Sequence, residues 1–375
     1  MTLAPSPAPG TAVIAANSAW NIANFRAPLI AALRGAGWDV VALAPPDGSA
    51  ATIEALGAWF VPIQIDSSGT SPLRDARLAA DYVRILRGIR PQVFLGFTVK
   101  PNVYGSLAAR LLGIKVINNI SGLGTAFMRS GALSRLVSGL YKLSLRRSAR
   151  VFFQNEHDRD LFVDRGLVRS EQAEVIPGSG IDLERFRPMA GNREPDAPFR
   201  FLFVGRLLRD KGLVEFAEAA RLLRPAWPSV EFAILGFAGS DNRSAVPLSE
   251  VRRWQDEKLV TYVGDTEDVR PFVADCDCVV LPSYREGLPR SLLEASAMAK
   301  PMIATDVPGC RDVVADGENG FLCQVGSASA LAASMDAMLR LEPEKRDAMG
   351  RAARTMVEQR FDQCLVTEAY LEALK

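Results

Sequence analysis

An α/β fold in two doubly wound domains is what this sequence predicts, and three observations predict it. The chain has 375 residues, too many for one ordinary core and suited to two. Short apolar runs alternate with helix-length amphipathic stretches, the pattern of parallel strands covered by helices on both faces. The alternation is interrupted by PGSGIDLERFRPMAGNREPDAP at 177–198, rich in Gly and Pro, and then restarts.

The elements follow in order. Predicted strands of the first half are 12–16, 39–44, 60–65, 93–97, 115–120, 150–155 and 173–177, each an apolar, β-branched or aromatic run. Helical periodicity falls between them, for example over 26–35, 73–89 and 102–112, the last stopped by Gly113. The segment 177–198 reads as an interdomain linker. The second half gives strands at 199–206, 230–236, 259–265, 278–283, 301–306 and 320–325, then helices over 327–340 and 345–374. The predicted domains are 1–187 and 188–360, with 361–375 a C-terminal helix returning to the first.

Composition excludes several classes. Hydrophobic residues are 48% of the chain, which argues against disorder. No apolar run approaches the length of a membrane span. The opening MTLAPSPAPG lacks the basic and apolar regions of a signal peptide and reads as a short disordered lead. Cysteines 276, 278, 310, 323 and 364 are odd in number and follow no disulfide or metal spacing, so reduced thiols in a cytoplasmic protein are expected. Net charge is only +1, but residues 82–155 contain twelve basic residues and no acidic one.

Ligands of open parallel sheets bind beyond the carboxyl ends of the strands, so the loops there carry the chemistry. In GRLLRDKGL (205–213), Gly205 and Arg206 end a strand, and Lys211 and Gly212 open the next helix. Two cations bracketing a tight loop can neutralise a diphosphate; taken alone, a solvated basic loop explains them better. In SYREGLPRSLLEA (283–295), Glu286 and Gly287 form a loop, Pro289 suits a first helical turn, and Glu294 falls on the helix. Two such carboxylates can accept hydrogen bonds from sugar hydroxyls, yet by themselves are better read as surface charges. A third Gly- and Pro-rich turn lies in TDVPGCRDVVADGENGFLC (305–323).

Taken together, GRLLRDKG, VTYVGDTEDV, VVLPSYREGLPRSLLEA and PMIATDVPGCRDVVADGENGFL, in this order and spacing, resemble glycosyltransferase family four, retaining enzymes of the GT-B fold. The resemblance implies two Rossmann-like domains around a deep cleft, with the nucleotide-sugar donor on the second. It implies that Arg206 and Lys211 grip and stabilise the leaving diphosphate. Glu286 would lie near the donor sugar and Glu294 would hold the ribose. Gly205 and the backbone of Gly287, Leu288 and Pro289 would line the donor, with Gly264, Asp265 and Thr266 beside the base. It implies no metal and no cofactor. Asp275–Cys276–Asp277 matches a metal-binding pattern of another fold, but it precedes its strand, away from the ligand edge, and reads as structural.

On the acceptor side, Asn17, Asn24 and Arg26 lie in NSAWNIANFR, read as a loop after the first strand, with Ser18 and Ala19 where many relatives carry glycines. Lys100 follows another strand and suits either an acceptor phosphate or a simple helix start. Gly122 and Gly124 form a small-residue loop where many members place a catalytic histidine; this chain has none there. His157, its single histidine, reads as a helix-start residue. INNISGLGTAF and KPN resemble the subgroup that builds bacterial surface polysaccharides and lipid-linked oligosaccharides. Over 128–150, six basic residues and no acidic one accompany Leu133, Leu136, Val137, Leu140, Tyr141 and Leu143 at near-helical spacing. This suits either a core-facing helix or docking on an anionic membrane surface.

The expected activity is metal-independent transfer of a hexose-type sugar, with retention, from a nucleoside-diphosphate donor, UDP by default, to a polyprenyl-diphosphate-linked saccharide. The expected place is the cytoplasmic face of the membrane. A nucleotide-sugar epimerase and a non-catalytic sugar-nucleotide-binding protein are the alternatives. No nucleic-acid module is recognisable.

Overall fold

The computed structural model describes residues 10–66, 71–122, 132–194, 197–239, 242 and 244–375. The chain divides into two compact units, one of Met1–Gly180 with Gln363–Lys375, the other of Ile181–Asp362.

The first unit is a seven-stranded sheet in the order β3-β2-β1-β4-β5-β6-β7. Its strands are β1 (Thr11–Ala15), β2 (Asp39–Ala44), β3 (Trp59–Pro62), β4 (Val93–Phe97), β5 (Lys115–Ile120), β6 (Arg150–Phe153) and β7 (Ala173–Val175). All pairs are parallel. The interior strands are buried on both faces, which is why they read as unbroken apolar runs rather than alternations. One face packs on the helix Pro72–Ile89 through Leu78, Tyr82 and Leu86. The other packs on the helix Ala27–Gly35 and the final helix Gln363–Leu374. Tyr370 of that last helix packs its ring tilted against Phe97 and edge-on against Phe152, and its hydroxyl accepts from Asn119 at 3.1 Å.

The second unit has six parallel strands in the order β10-β9-β8-β11-β12-β13. They are β8 (Arg200–Val204), β9 (Glu231–Leu235), β10 (Thr261–Gly264), β11 (Cys278–Leu281), β12 (Met302–Thr305) and β13 (Gly320–Cys323). Strand order reverses between β8 and β11. This is the topological switch point, where the loops after two adjacent strands diverge to opposite faces and leave a crevice.

Four local readings are corrected. The stretch 345–374 is two helices, Pro343–Arg360 and Gln363–Leu374. They break where Phe361 buries in the second core and Asp362 bridges Ile181, a tertiary cause with no Gly or Pro to mark it. Part of NSAWNIANFR is a helix, Ala19–Phe25, because Ser18 caps it by accepting from the Asn21 N–H at 3.1 Å. The helix read over 102–112 opens as a π-turn at Pro101–Gly105. The segment read as a linker contributes Ile181 and Phe186 to the second core. Asp275 accepts from the Asn192 N–H at 2.6 Å, and Asp277 from the Arg200 N–H at 2.7 Å and from Arg193 at 3.0 Å; both aspartates tie down the chain that enters β8.

Candidate functional site

Two glycines draw the loops of the second unit's switch point together. Gly212 ends the turn Arg209–Lys211 with φ 72°, and a Cβ there would lie 2.0 Å from the Pro282 carbonyl oxygen. That contact locks the loop after β8 to the loop after β11, and the Tyr284 N–H adds a bond to the Asp210 carbonyl at 2.9 Å. Gly309, at φ 81°, brings the loop after β12 against the same place, since its Cβ would meet the Gly287 carbonyl oxygen at 2.4 Å.

Two of the predicted charged residues meet across this junction. Lys211 Nζ lies 2.5 Å from Glu286 Oε1, and the Ser283 hydroxyl donates to the same oxygen at 2.6 Å. Ser283 is held in turn by the Thr305 hydroxyl, which donates to its carbonyl. Lysine and glutamate are 75 positions apart in sequence, and the strand order alone joins them. Arg206 is exposed at the end of β8 and makes no salt bridge among the described residues. Arg206 is thus an exposed cation on the same loop as Lys211, and a cation of this kind can hold an anion.

Glu294 sits on the helix Arg290–Ala297, which Pro289 precedes as N-cap. Its carboxylate is buried and accepts from Arg290 at 2.9 Å. Burial pushes its pKa above the ordinary value of 4.5, while Arg290 and Arg185 oppose the rise. Folded protein therefore holds this proton more tightly than unfolded chain. Its contribution to stability is fullest below 4.5 and is lost as pH rises through the folded value. Glu294→Gln is thus expected to melt at or above the wild-type temperature at neutral pH, with the gap closing in acid. Melts taken as a function of pH check this; a gap that ignores pH removes burial as its cause.

The loops after β8, β9 and β10 converge through three glycines. The Gly205 N–H bonds the Leu235 carbonyl at 3.0 Å and the Gly236 N–H bonds the Gly264 carbonyl at 2.8 Å, while a Cβ on Gly236 would lie 1.8 Å from the Gly205 carbonyl oxygen. Asp265 is exposed beyond them. Thr266 and Asp268 form a local turn, and Asp268 pairs with Arg270 at 2.7 Å. The second unit thus gathers the loops that carry Gly205, Arg206, Lys211, Glu286, Gly287, Leu288 and Pro289. Sequence reasoning passed over Arg290, although its spacing of four from Glu294 signals a helical ion pair. It also gave no part to Gly236, Gly309 or Tyr284, whose contacts depend on tertiary neighbours.

The predicted acceptor-side residues all belong to the first unit. Asn17 lies just beyond β1, and Asn24 is on a helix, donating to the Trp20 carbonyl at 3.0 Å. Arg26 is buried, its guanidinium 4.0 Å from the centre of the Phe97 ring. Lys100 is ion-paired with Asp75 at 2.8 Å. Gly122 adopts φ 140°, whereas Gly124 lies outside the described residues. His157 is exposed in the first turn of the helix Glu156–Asp164, which Asn155 caps. In the helix Ala132–Leu145, Tyr141 and Leu145 face the core, so the apolar stripe is in part structural. Lys142, Leu143, Arg146 and Arg147 are exposed, and Leu111 is exposed beside Arg110, which donates to the Leu143 carbonyl. The side chains of Leu133 and Leu136 lie outside the described residues.

Comparison with known proteins agrees with this architecture. Residues 185–356 match the model of glycosyl transferases group 1, and residues 22–178 match a glycosyl transferase 4-like domain. A Campylobacter jejuni relative, N,N'-diacetylbacillosaminyl-diphospho-undecaprenol alpha-1,3-N-acetylgalactosaminyltransferase, is 26% identical over 94% of this chain and 95% of its own. An Escherichia coli UDP-Gal:alpha-D-GlcNAc-diphosphoundecaprenol alpha-1,3-galactosyltransferase is 23% identical over 78% of this chain and 76% of its own. Among solved structures, Anabaena HepE in complex with UDP and glucose superposes with a TM-score of 0.80 at 20% identity, covering 97% of this chain and 98% of that one. The two family models between them take in nearly the whole chain, and with two parallel-sheet units of Rossmann type they establish that it belongs to the GT-B glycosyltransferases of family four.

Proposed function

We propose that this chain transfers a hexose-type sugar, with retention, from UDP to a saccharide carried on a polyprenyl diphosphate, without a metal. The observation that carries the reading is the Lys211–Glu286 pair at the switch point, with Arg206 exposed on the same loop as Lys211. A diphosphate entering there meets Arg206 directly and draws Lys211 from Glu286. The freed carboxylate then accepts hydroxyl hydrogen bonds from the donor sugar, and Glu294 accepts those of the ribose.

The bond between the anomeric carbon and the diphosphate oxygen breaks, and its electron pair goes to the diphosphate. Cations held against the leaving oxygen are the means of stabilising that charge. The acceptor oxygen bonds to the anomeric carbon from the same face, and its proton passes to the departing phosphate oxygen. The activities of the two relatives, with diphospho-undecaprenol acceptors in both and a UDP-sugar donor in one, support this choice of substrates.

A lipid-linked acceptor requires access to a membrane, and no helix among the described residues is long and apolar enough to cross one. Exposed Leu111 and Leu143 among Arg110, Lys142, Arg146 and Arg147 suit docking on anionic lipid, each basic residue contributing about 1 kcal/mol. Flotation with anionic vesicles is expected to carry the protein, and neutral vesicles to leave it behind; equal and negligible binding removes the docking reading. The activity itself is tested by incubating a radiolabelled UDP-sugar with a polyprenyl-diphosphate saccharide. Label in the lipid product with the anomeric configuration kept is expected. An epimerised donor, or an unaltered one, contradicts the reading.

A further inference from the structure

A cavity of about 410 Å³ lies in the first unit, where three segments meet. The loop after β3 supplies Gln64 and Asp66, the start of the helix Pro72–Ile89 supplies Arg74, Asp75 and Arg77, and the loop after β4 supplies Lys100. The donor reading uses none of them.

Charge in this cavity is dense but balanced. Asp66, Asp75 and Asp81 face Arg74, Arg77 and Lys100. Arg74 pairs with Asp66 at 2.9 Å, Lys100 with Asp75 at 2.8 Å, and Asp81 with Arg84 at 2.9 Å. An anion finds these cations largely matched already. A neutral polyol finds both donors and acceptors, and a cavity of this size falls in the range that small ligands occupy.

The site also concentrates local features that recur at functional sites. Asp75 is buried and held by Lys100. Apolar residues of similar volume commonly serve at least as well as a buried ion pair. Thr98, β-branched, adopts φ 65° just before Lys100, and the π-turn Pro101–Gly105 follows directly. Left-handed β-branched residues and single π-turns gather at functional sites.

Resting on the glycosyl-transfer reading above, we propose that this cavity takes an uncharged sugar unit of the acceptor through its hydroxyls, with Asp75, Arg77 and Lys100 determining which sugar fits. Lys100, which by sequence suits an acceptor phosphate, instead orients the Asp75 carboxylate toward a hydroxylated ligand.

The test uses the full chain, with the methyl α-glycosides of glucose, galactose and N-acetylglucosamine and with inorganic pyrophosphate as probes, read by saturation-transfer NMR. Two variants are compared with wild type: Asp75→Asn, and Arg77→Ala as an exposed change that spares the fold. At least one glycoside is expected to bind wild type, and either variant to weaken it about tenfold, the scale of a lost hydrogen bond to a charged group. The proposal is overturned if no glycoside binds, if the variants bind as wild type does, or if pyrophosphate displaces the glycoside. Stabilisation by UDP is measured in the same samples. It is expected in wild type and both variants, so loss of glycoside binding with UDP binding intact belongs to this cavity alone. A wild type that UDP does not stabilise counts against the donor reading instead.

Discussion

Lys211→Ala lowers turnover by about a hundredfold or more, the scale on which one preorganised charge stabilises a transition state. The effect on stability is more telling. Removing the lysine leaves the Glu286 carboxylate, only 10% exposed, without its cation and held by the Ser283 hydroxyl. The single variant therefore melts below wild type. In the double variant Lys211→Ala with Glu286→Ala the uncompensated charge is gone, and melting temperature recovers part of the loss. Turnover does not recover. A pair whose role is structural behaves otherwise, with activity following stability back. Steady-state rates and thermal melts on the three variants separate the outcomes, because residues in contact give non-additive energies.

Gly212→Ala is expected to have the largest effect on the site as a whole. At φ 72° alanine is strained, and its Cβ would fall 2.0 Å from the Pro282 carbonyl oxygen, which is backbone and cannot swing away. The loops after β8 and β11 must then part, taking Lys211 from Glu286. Overpacking together with a left-handed alanine costs about 3 kcal/mol or more. Chemical denaturation is expected to show that loss, with donor binding lost at temperatures where the variant is still folded. Gly317→Ala is the control. It has a similar φ of 78° but open space around the Cβ, and it is expected to lose much less stability and keep donor binding. Equal losses in both variants assign the effect to backbone strain and not to the closeness of the two loops.

How much of this was legible in the sequence depends on the range of the forces involved. All thirteen strands lie where apolar runs predict them, since parallel strands buried on both faces carry their signal locally. Several, such as β8, end sooner than predicted because the flanking residues, Gly205 and Arg206 there, turn into the loop that follows. Arg290 and Glu294 were readable from helical spacing. The Lys211–Glu286 pair was not, because only the reversal of strand order between β8 and β11 makes 75 residues of separation a contact. Lys100 and Asp75 meet because the fold brings the loop after β4 to the start of the helix Pro72–Ile89. The break at Phe361–Asp362 left no trace, since a buried aromatic and a one-residue bridge to Ile181 cause it.

The account stands on the second unit holding a nucleoside diphosphate at its switch point. A crystal structure with UDP bound addresses this without recourse to kinetics. Phosphate oxygens within hydrogen-bonding distance of both Arg206 and Lys211, with the Lys211–Glu286 contact opened and the ribose on Glu294, bear it out. UDP found elsewhere on the chain, or a Lys211–Glu286 pair unchanged beside it, refutes it.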